Sequence, residues 1–366
     1  MIHAFLVGGR GGGGEEVFLR DLVSRPPEGV VYHPVWDHHE SIPEARCARL
    51  GEVLLNRLVH PLLWPLPGFR AYRVASTVDL VHLHNFPAWL GLPRGCPVVS
   101  TVGGAGYPHY MEAYLGWAPG DVEARYRRAR RLYRLLRVRS ELATHEGVDA
   151  VVVFSPYAAD RLASLGLPRG KIHVIPPGFD IPAPATPPSS EPFTFLLVGR
   201  DPARKGADLA VAALQRLREQ GVDARLVLVG VAAYPAMAAG VEGVEGVGPV
   251  DRDTLFRDFF GRAHAVLVPS RAEGFGFTAV EGMGHGLPVV ASRRDTLPWI
   301  VGDGGLLVDP GDAGSLGEAM ARLATDPSTA RALGESGRRR FEAVFTRVRV
   351  REELGSLYRS LLDGKA

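Results

Sequence analysis

Short apolar runs of strand length alternate with helix-length amphipathic segments along this chain, and prolines break the alternation once. In the first half the apolar runs are Ile2 to Val7, Val30 to Val35, Leu80 to His84, Val98 to Thr101, Ala150 to Phe154 and Ile172 to Ile175. Then come Pro176, Pro177, Pro182, Pro184, Pro187, Pro188 and Pro192 within one short stretch. Proline has no N–H and a locked φ, so this stretch continues neither a helix nor a central strand and reads as a linker. The alternation then resumes with Phe193 to Val198, Leu226 to Val229, Ala265 to Val268, Pro288 to Ala291 and Leu306 to Val308. Such a pattern builds parallel sheets covered by helices on both faces. The expected class is α/β, with one doubly wound domain over 1–180, a second over 181–345, and a helical tail over 346–366 that packs back on the first.

Composition narrows the function classes. With 46% hydrophobic and 22% charged residues in 366, the chain is neither disordered nor fibrous, and its length suits about two domains. A formal net charge of +2 supplies no global basic field, so no nucleic-acid partner is expected. Cys47 and Cys96 are too few for a disulfide framework or a four-thiolate zinc site, which points to a reducing, cytoplasmic setting. The first apolar run lacks the basic start and cleavage site of an export signal, and no apolar stretch is long enough to span a bilayer. Amide side chains are limited to Asn56, Asn85, Gln215 and Gln220, a scarcity expected of a heat-adapted source.

Two strand-to-helix turns carry anion-binding chemistry. After the first strand, Gly8 to Gly14 read GGRGGGG, and Gly9, Gly11 and Gly14 satisfy G-x-G-x-x-G with Asp37 downstream. That pattern fits a dinucleotide fingerprint, a flexible loop lying over a ligand, or a plain tight turn. After the strand ending at Val198, Gly199, Arg200 and Asp201 lead to Lys205 and Gly206 at a helix start. Two cations beside a helix N-terminus suit a diphosphate.

The segment Pro269 to Gly286, PSRAEGFGFTAVEGMGHG, places Glu273 in a glycine-rich loop and Glu281 about one turn into the following helix. Two carboxylates beside Phe275 and Phe277 are costly unless they accept hydrogen bonds, and sugar hydroxyls offer them. The glycines at 274, 276, 282, 284 and 286 permit close approach of backbone to a ligand.

Together these elements resemble the retaining family 4 glycosyltransferases of the GT-B fold. The likeness rests on Gly199, Arg200, Lys205 and Gly206, on the stretch with Glu273 and Glu281, and on the tail FTRVRVREELGSLYRSLL. IPPGFD at Ile175 to Asp180 and VDLVHLHN at Val78 to Asn85 extend it into the first half. The resemblance implies two Rossmann-like domains facing a central cleft, and transfer of a sugar from a nucleotide diphosphate to a glycan, lipid-linked or small-molecule acceptor with the anomeric configuration kept. It implies that Arg200 and Lys205 neutralise the leaving diphosphate, helped by Gly12, Gly13, Gly199 and backbone N–H groups near Phe275 and Gly276. Glu273 would then touch the donor sugar and Glu281 the ribose hydroxyls. Gly178 would belong to a hinge. No cofactor and no metal is expected.

The likeness has gaps. Many members carry a histidine directly after the strand that here ends at Thr101, where this chain continues Val102, Gly103, Gly104; His109 is the expected substitute. His84 and Asn85 are expected at the acceptor side. Asp251-Arg252-Asp253 spells D-x-D but precedes an apolar helical pattern and reads as a helix cap, and the adjacent His38 and His39 are not read as a metal site. The arginines between Arg125 and Arg139 lie on a basic amphipathic helix, suited either to peripheral contact with an anionic membrane or to a solvated face. The apolar cluster of His60 to Phe69 is a second candidate surface. A nicotinamide-dependent oxidoreductase and a GT-B-type sugar-nucleotide epimerase remain as alternatives.

Overall fold

In a computed structural model, residues 1–8, 14–36, 46–49, 70–73, 78–84, 95–103, 120–124, 128, 145–181 and 192–364 are described. In chain order the strands are β1 Ile2–Gly8, β2 Val30–Trp36, β3 Arg46–Arg49, β4 Arg70–Arg73, β5 Leu80–His84, β6 Val98–Val102, β7 Ala150–Val153 and β8 Ile172–Val174. They continue with β9 Phe193–Val198, β10 Ala224–Val229, β11 Val244–Val247, β12 Ala265–Val268, β13 Val289–Ser292 and β14 Gly305–Val308. The longer helices are α1 Gly14–Ser24, α2 Pro156–Ser164, α3 Ala207–Glu219, α4 Phe277–Gly284, α5 Ala313–Thr325, α6 Pro327–Val344 and α7 Arg347–Asp363. Every strand read from the sequence is present. Two features were not read. The antiparallel pair β3–β4, RCAR against RAYR, has no apolar run, and β11, VEGV, is too short and polar to stand out.

The chain divides into one unit of Met1–Gly178 with Arg347–Ala366, and another of Phe179–Thr346. The first holds a sheet in the order β2-β1-β5-β6-β7-β8, with parallel pairing throughout. Strands β5, β6 and β7 are buried at every position, His82, His84, Ser100 and Thr101 included, so none of them shows the apolar–polar alternation of a strand with one solvated face. Ser155 caps α2, accepting from Ala158 N at 3.2 Å, and Pro156 takes the position where a missing N–H costs nothing.

Helix α7 belongs to this unit although it ends the chain. Arg347 Nε lies 2.6 Å from the Asp21 carboxylate on α1. Deeper in, Tyr358 is fully buried, with its hydroxyl 2.9 Å from that of Tyr32 and 2.6 Å from His82 Nδ1. His82 Nε2 in turn lies 2.6 Å from Thr101 Oγ1. Burial lowers the His82 imidazole to about 3, so the chain of contacts from α7 to β6 is uncharged.

The second unit is also a parallel sheet, ordered β11-β10-β9-β12-β13-β14. Helices α3 and α5 pack on one another and share a core with Phe195, Leu197, Leu228 and Leu267. Helix α4 packs against α6 and lies close on β12, where Gly282 meets Val266. The chain enters and leaves this unit side by side: Phe179 N donates to Phe345 O at 2.9 Å, and Phe179 bridges Thr346.

Candidate active site

In the second unit, β9 and β12 are neighbours, yet the chain runs from β9 outward through β10 to β11 and from β12 the other way to β14. The order reverses between them. In open parallel sheets the crevice beyond the carboxyl ends of such a strand pair is the usual ligand site, because the two following loops diverge and leave room. Here those loops are Gly199–Asp201, after β9, and Pro269–Gly276, after β12.

After β9 a one-turn helix, Pro202–Lys205, is capped by Asp201, whose carboxylate accepts from Arg204 N at 3.1 Å. Gly206 follows at φ 71°, and a Cβ there would stand 2.3 Å from Pro269 O. Only glycine lets the two loops approach so closely. A Cβ on Gly199 would stand 2.6 Å from Lys205 Cγ, so that position is bare to let the lysine stem pass.

The lysine ends in a buried ion pair. Lys205, 8% exposed, directs its ammonium at Glu273, 6% exposed, and Ser270 Oγ donates to the same carboxylate oxygen at 3.0 Å. Arg204 Nη1 lies 3.7 Å from the other oxygen and donates to Ala272 O at 3.0 Å. Burial alone would raise the Glu273 carboxyl; the Lys205 and Arg204 charges and the hydrogen bonds more than reverse this and hold it below its ordinary value. Arg200 is exposed and has no ion-pair partner among the described residues. The other cations near this helix start are taken up locally: Arg204 by Asp201 at 3.6 Å, and Arg271 by Asp208 at 2.7 Å.

Gly276 leads into α4, with Phe275 packed edge-on against Phe277 at 5.2 Å between ring centres. Glu281 sits on α4, its side chain 13% exposed, 3.5 Å from Arg252. Burial raises its carboxyl to about 7, against the opposing pull of Arg252 and Lys205. Asp251 caps a helical turn, accepting from Thr254 N at 2.9 Å and Thr254 Oγ1 at 2.7 Å, so the D-x-D triplet is a cap. Among the described residues no three His, Cys, Asp or Glu side chains cluster as metal ligands, and no helix is long and apolar enough to cross a membrane.

Comparison with known proteins gives this geometry a family. The model described as glycosyl transferases group 1 matches residues 192–326, and that described as glycosyltransferase family 4 matches residues 13–182. This chain belongs to the family 4 glycosyltransferases. A D-inositol 3-phosphate glycosyltransferase from Arthrobacter sp. (strain FB24) is 29% identical over 355 residues, covering 88% of this chain and 79% of that protein. Among solved structures, sucrose-phosphate synthase from Thermosynechococcus elongatus superposes with a TM-score of 0.71 at 21% identity, over 100% of both chains. Anabaena HepE in complex with UDP and glucose gives 0.66 at 16% identity, over 98% of this chain and 100% of that one. The fold is therefore GT-B, and nothing in the family match supports the oxidoreductase alternative.

Within the glycosyltransferase, the structure brings Lys205, Glu273, Gly199, Phe275, Gly276 and Glu281 to the end of one sheet. Sequence reasoning missed four residues that hold them. Arg204 and Ser270 lie inside the quoted segments, but a lone arginine or serine there carries no distinguishing signal. Arg252 was set aside with the helix cap. Asp295, whose carboxylate accepts from Glu273 N at 2.9 Å, comes from a loop 22 residues away and had no signal at all.

In the first unit the sheet order reverses between β1 and β5, and His84 ends β5 opposite Gly8 and Thr101. His84 is 1% exposed, neither ring nitrogen has a hydrogen-bond partner among the described residues, and Phe18 and Phe154 flank it at 5.9 Å. Burial, helped by neighbouring His82, lowers its imidazole to about 3. Gly12, Gly13, Asp37, His38, His39, Asn85, His109 and the segment 60–69 lie outside the described residues, as does the basic segment 125–139 apart from Arg128.

Proposed function

We propose that this glycosyltransferase moves a hexosyl group from a UDP- or GDP-linked donor to a glycan, lipid-linked or small-molecule acceptor, with retention of configuration and without a metal. The observation that carries this reading is the charge gathered at the switch point of the second sheet: buried Lys205 held on Glu273, with exposed Arg200 in the loop that leads to it. Negative charge grows on the diphosphate as the glycosidic bond breaks, and cations fixed in a poorly hydrated site stabilise it without reorganising. Glu273 orients the sugar hydroxyls, Glu281 the ribose hydroxyls, and the backbone of Gly199, Phe275 and Gly276 allows the donor to approach closely. Gly12 and Gly13 would contact the phosphates and His109 the sugar, while Asn85 would line the acceptor side, with His84 buried behind it at the end of β5.

The Glu273 carboxylate already accepts from an ammonium and a hydroxyl, which makes it a poor nucleophile. Retention then follows from attack on the same face. The acceptor oxygen bonds to the anomeric carbon as the carbon–oxygen bond to diphosphate breaks, and the acceptor proton passes to the departing phosphate oxygen. The named relative acts on an inositol phosphate, which makes phosphorylated polyols the first acceptors to try.

Thermal shift with UDP, GDP and NADH tests the donor class. A nucleoside diphosphate at about 100 times its Kd stabilises by about 2.7 kcal/mol, while NADH should do nothing. Release of nucleoside diphosphate from UDP-glucose and GDP-mannose, followed in wild type, Glu273→Ala and Lys205→Ala, tests the site. Full rate in both folded variants overturns the assignment, and conversion of the sugar without transfer favours an epimerase.

A further inference from the structure

One backbone position in the second unit departs from ordinary stereochemistry. Asp295, in the loop between β13 and the helical turn Leu297–Val301, has φ 53°, and among the described residues no other non-glycine residue has a positive φ. An L-residue is disfavoured there, glycine is not, and aspartate is tolerated because its short carboxylate finds local partners. A glycine would meet the backbone requirement more cheaply, so the side chain must contribute something glycine cannot.

What it contributes is contact with the Glu273 loop. The Asp295 side chain is 8% exposed, and its Oδ2 accepts from Glu273 N at 2.9 Å. Next to it Thr296, fully buried, donates its hydroxyl to Phe275 O. The two bonds bracket Gly274. Residues 270–276 form neither strand nor helix before α4 begins, so their N–H and C=O groups depend on such outside partners. From the other side Arg204 accepts from Arg271 N through its carbonyl at 2.7 Å and donates to Ala272 O. The loop that carries Glu273 is thus gripped from two sides. On the Asp295 side the grip falls on the backbone of Glu273 itself.

We propose that Asp295 is a positioning residue: its left-handed turn holds a carboxylate on the Glu273 amide and so sets the angle at which Glu273 meets the donor sugar. This rests on the donor-site reading above. The Glu273 amide is the partner within hydrogen-bond distance, and Arg294 Nε stands 3.5 Å from the same oxygen. The Asn variant tolerates the same φ and keeps an acceptor oxygen for the amide, so it replaces Asp295 on the loop. The Gly variant keeps the turn and loses the acceptor.

The test compares wild type, Asp295→Gly, Asp295→Asn and Glu273→Ala in three measurements. Melting temperature in Asp295→Gly should fall by only a few degrees, since relief of the strained position offsets part of the loss of the amide's acceptor and of Arg294's partner. Hydrogen exchange in the peptide spanning 271–276 should be about 10-fold faster in the Gly variant and within about twofold of wild type in the Asn variant. With UDP-glucose and GDP-mannose as donor probes, kcat should fall about 10-fold in the Gly variant, with KM within about threefold, because the diphosphate contacts are untouched. Wild-type exchange in Asp295→Gly overturns the proposal, and so does faster exchange with unchanged kcat. Wild-type turnover in Glu273→Ala defeats the donor-site reading instead, and the exchange result then decides alone whether Asp295 holds the loop.

Discussion

Replacing Lys205 by methionine removes the ammonium from Glu273 and keeps the stem that Gly199 makes room for. The carboxylate left behind is 6% exposed, with one hydroxyl donor and an arginine 3.7 Å away. Breaking a buried pair by removing one partner costs roughly 3–5 kcal/mol, because the remaining charge has lost water as well as its partner. For a unit of this size each kcal/mol moves the midpoint by about 2–4 °C, so a drop of roughly 10 °C is expected at pH 7.5. The pH dependence has a sign. In wild type the Glu273 carboxyl lies below its ordinary 4.5, so the unfolded chain binds more protons, and this stabilisation is present above 4.5 and lost as pH falls through the folded value. In Lys205→Met the ammonium that most opposes burial is gone, which moves the Glu273 carboxyl upward, so the deficit should shrink as the pH falls toward 5. The double variant Lys205→Met/Glu273→Gln replaces the pair with neutral groups of similar shape and should recover most of the midpoint. It should not recover turnover, which is expected to fall at least 100-fold in both variants. Thermal unfolding between pH 5 and 8 reads all of this. A single variant as stable as wild type at pH 7.5, or a double variant no better than the single, would refute the account of a buried pair.

Glu281, raised to about 7 by burial, binds more protons folded than unfolded between about 4.5 and 7, so its contribution to stability falls by roughly 3 kcal/mol as pH rises across that window. Glu281→Gln should flatten this part of the stability–pH curve, and urea titrations at pH 5 and 7.5 check it. Tyr358→Phe strands the Tyr32 hydroxyl and His82 Nδ1 without their partner and should cost about 2–3 kcal/mol in the first unit, read by urea unfolding; a cost below about 0.5 would mean that α7 docks by apolar packing alone. Gly199→Ala drives a methyl to 2.6 Å from Lys205 Cγ and should weaken UDP or GDP binding by about 10-fold in calorimetry.

The parallel sheets were legible in the sequence because short runs rich in valine, leucine and phenylalanine, as in β5, β6, β7 and β9, stand out between helix-length segments without any tertiary context. The charged loops were legible for a related reason: glycines next to Arg200, Lys205, Glu273 and Glu281 mark places where backbone must come close to something. The hairpin β3–β4 was not, since arginine-rich strands carry no burial signal, and β11 takes its strand character from pairing with β10.

What the amino acids determined by themselves is local: where the backbone runs straight, where it turns, and which side chains carry charge beside a glycine loop. Which of those charges meet was decided by the reversal of strand order between β9 and β12, which carries Lys205 to a glutamate 68 residues away. The same folding brings Asp295 under the Glu273 amide and Tyr358 against His82. Hydrogen bonds and ion pairs act over a few ångströms, and only the assembled sheet makes residues so distant in sequence neighbours at that range.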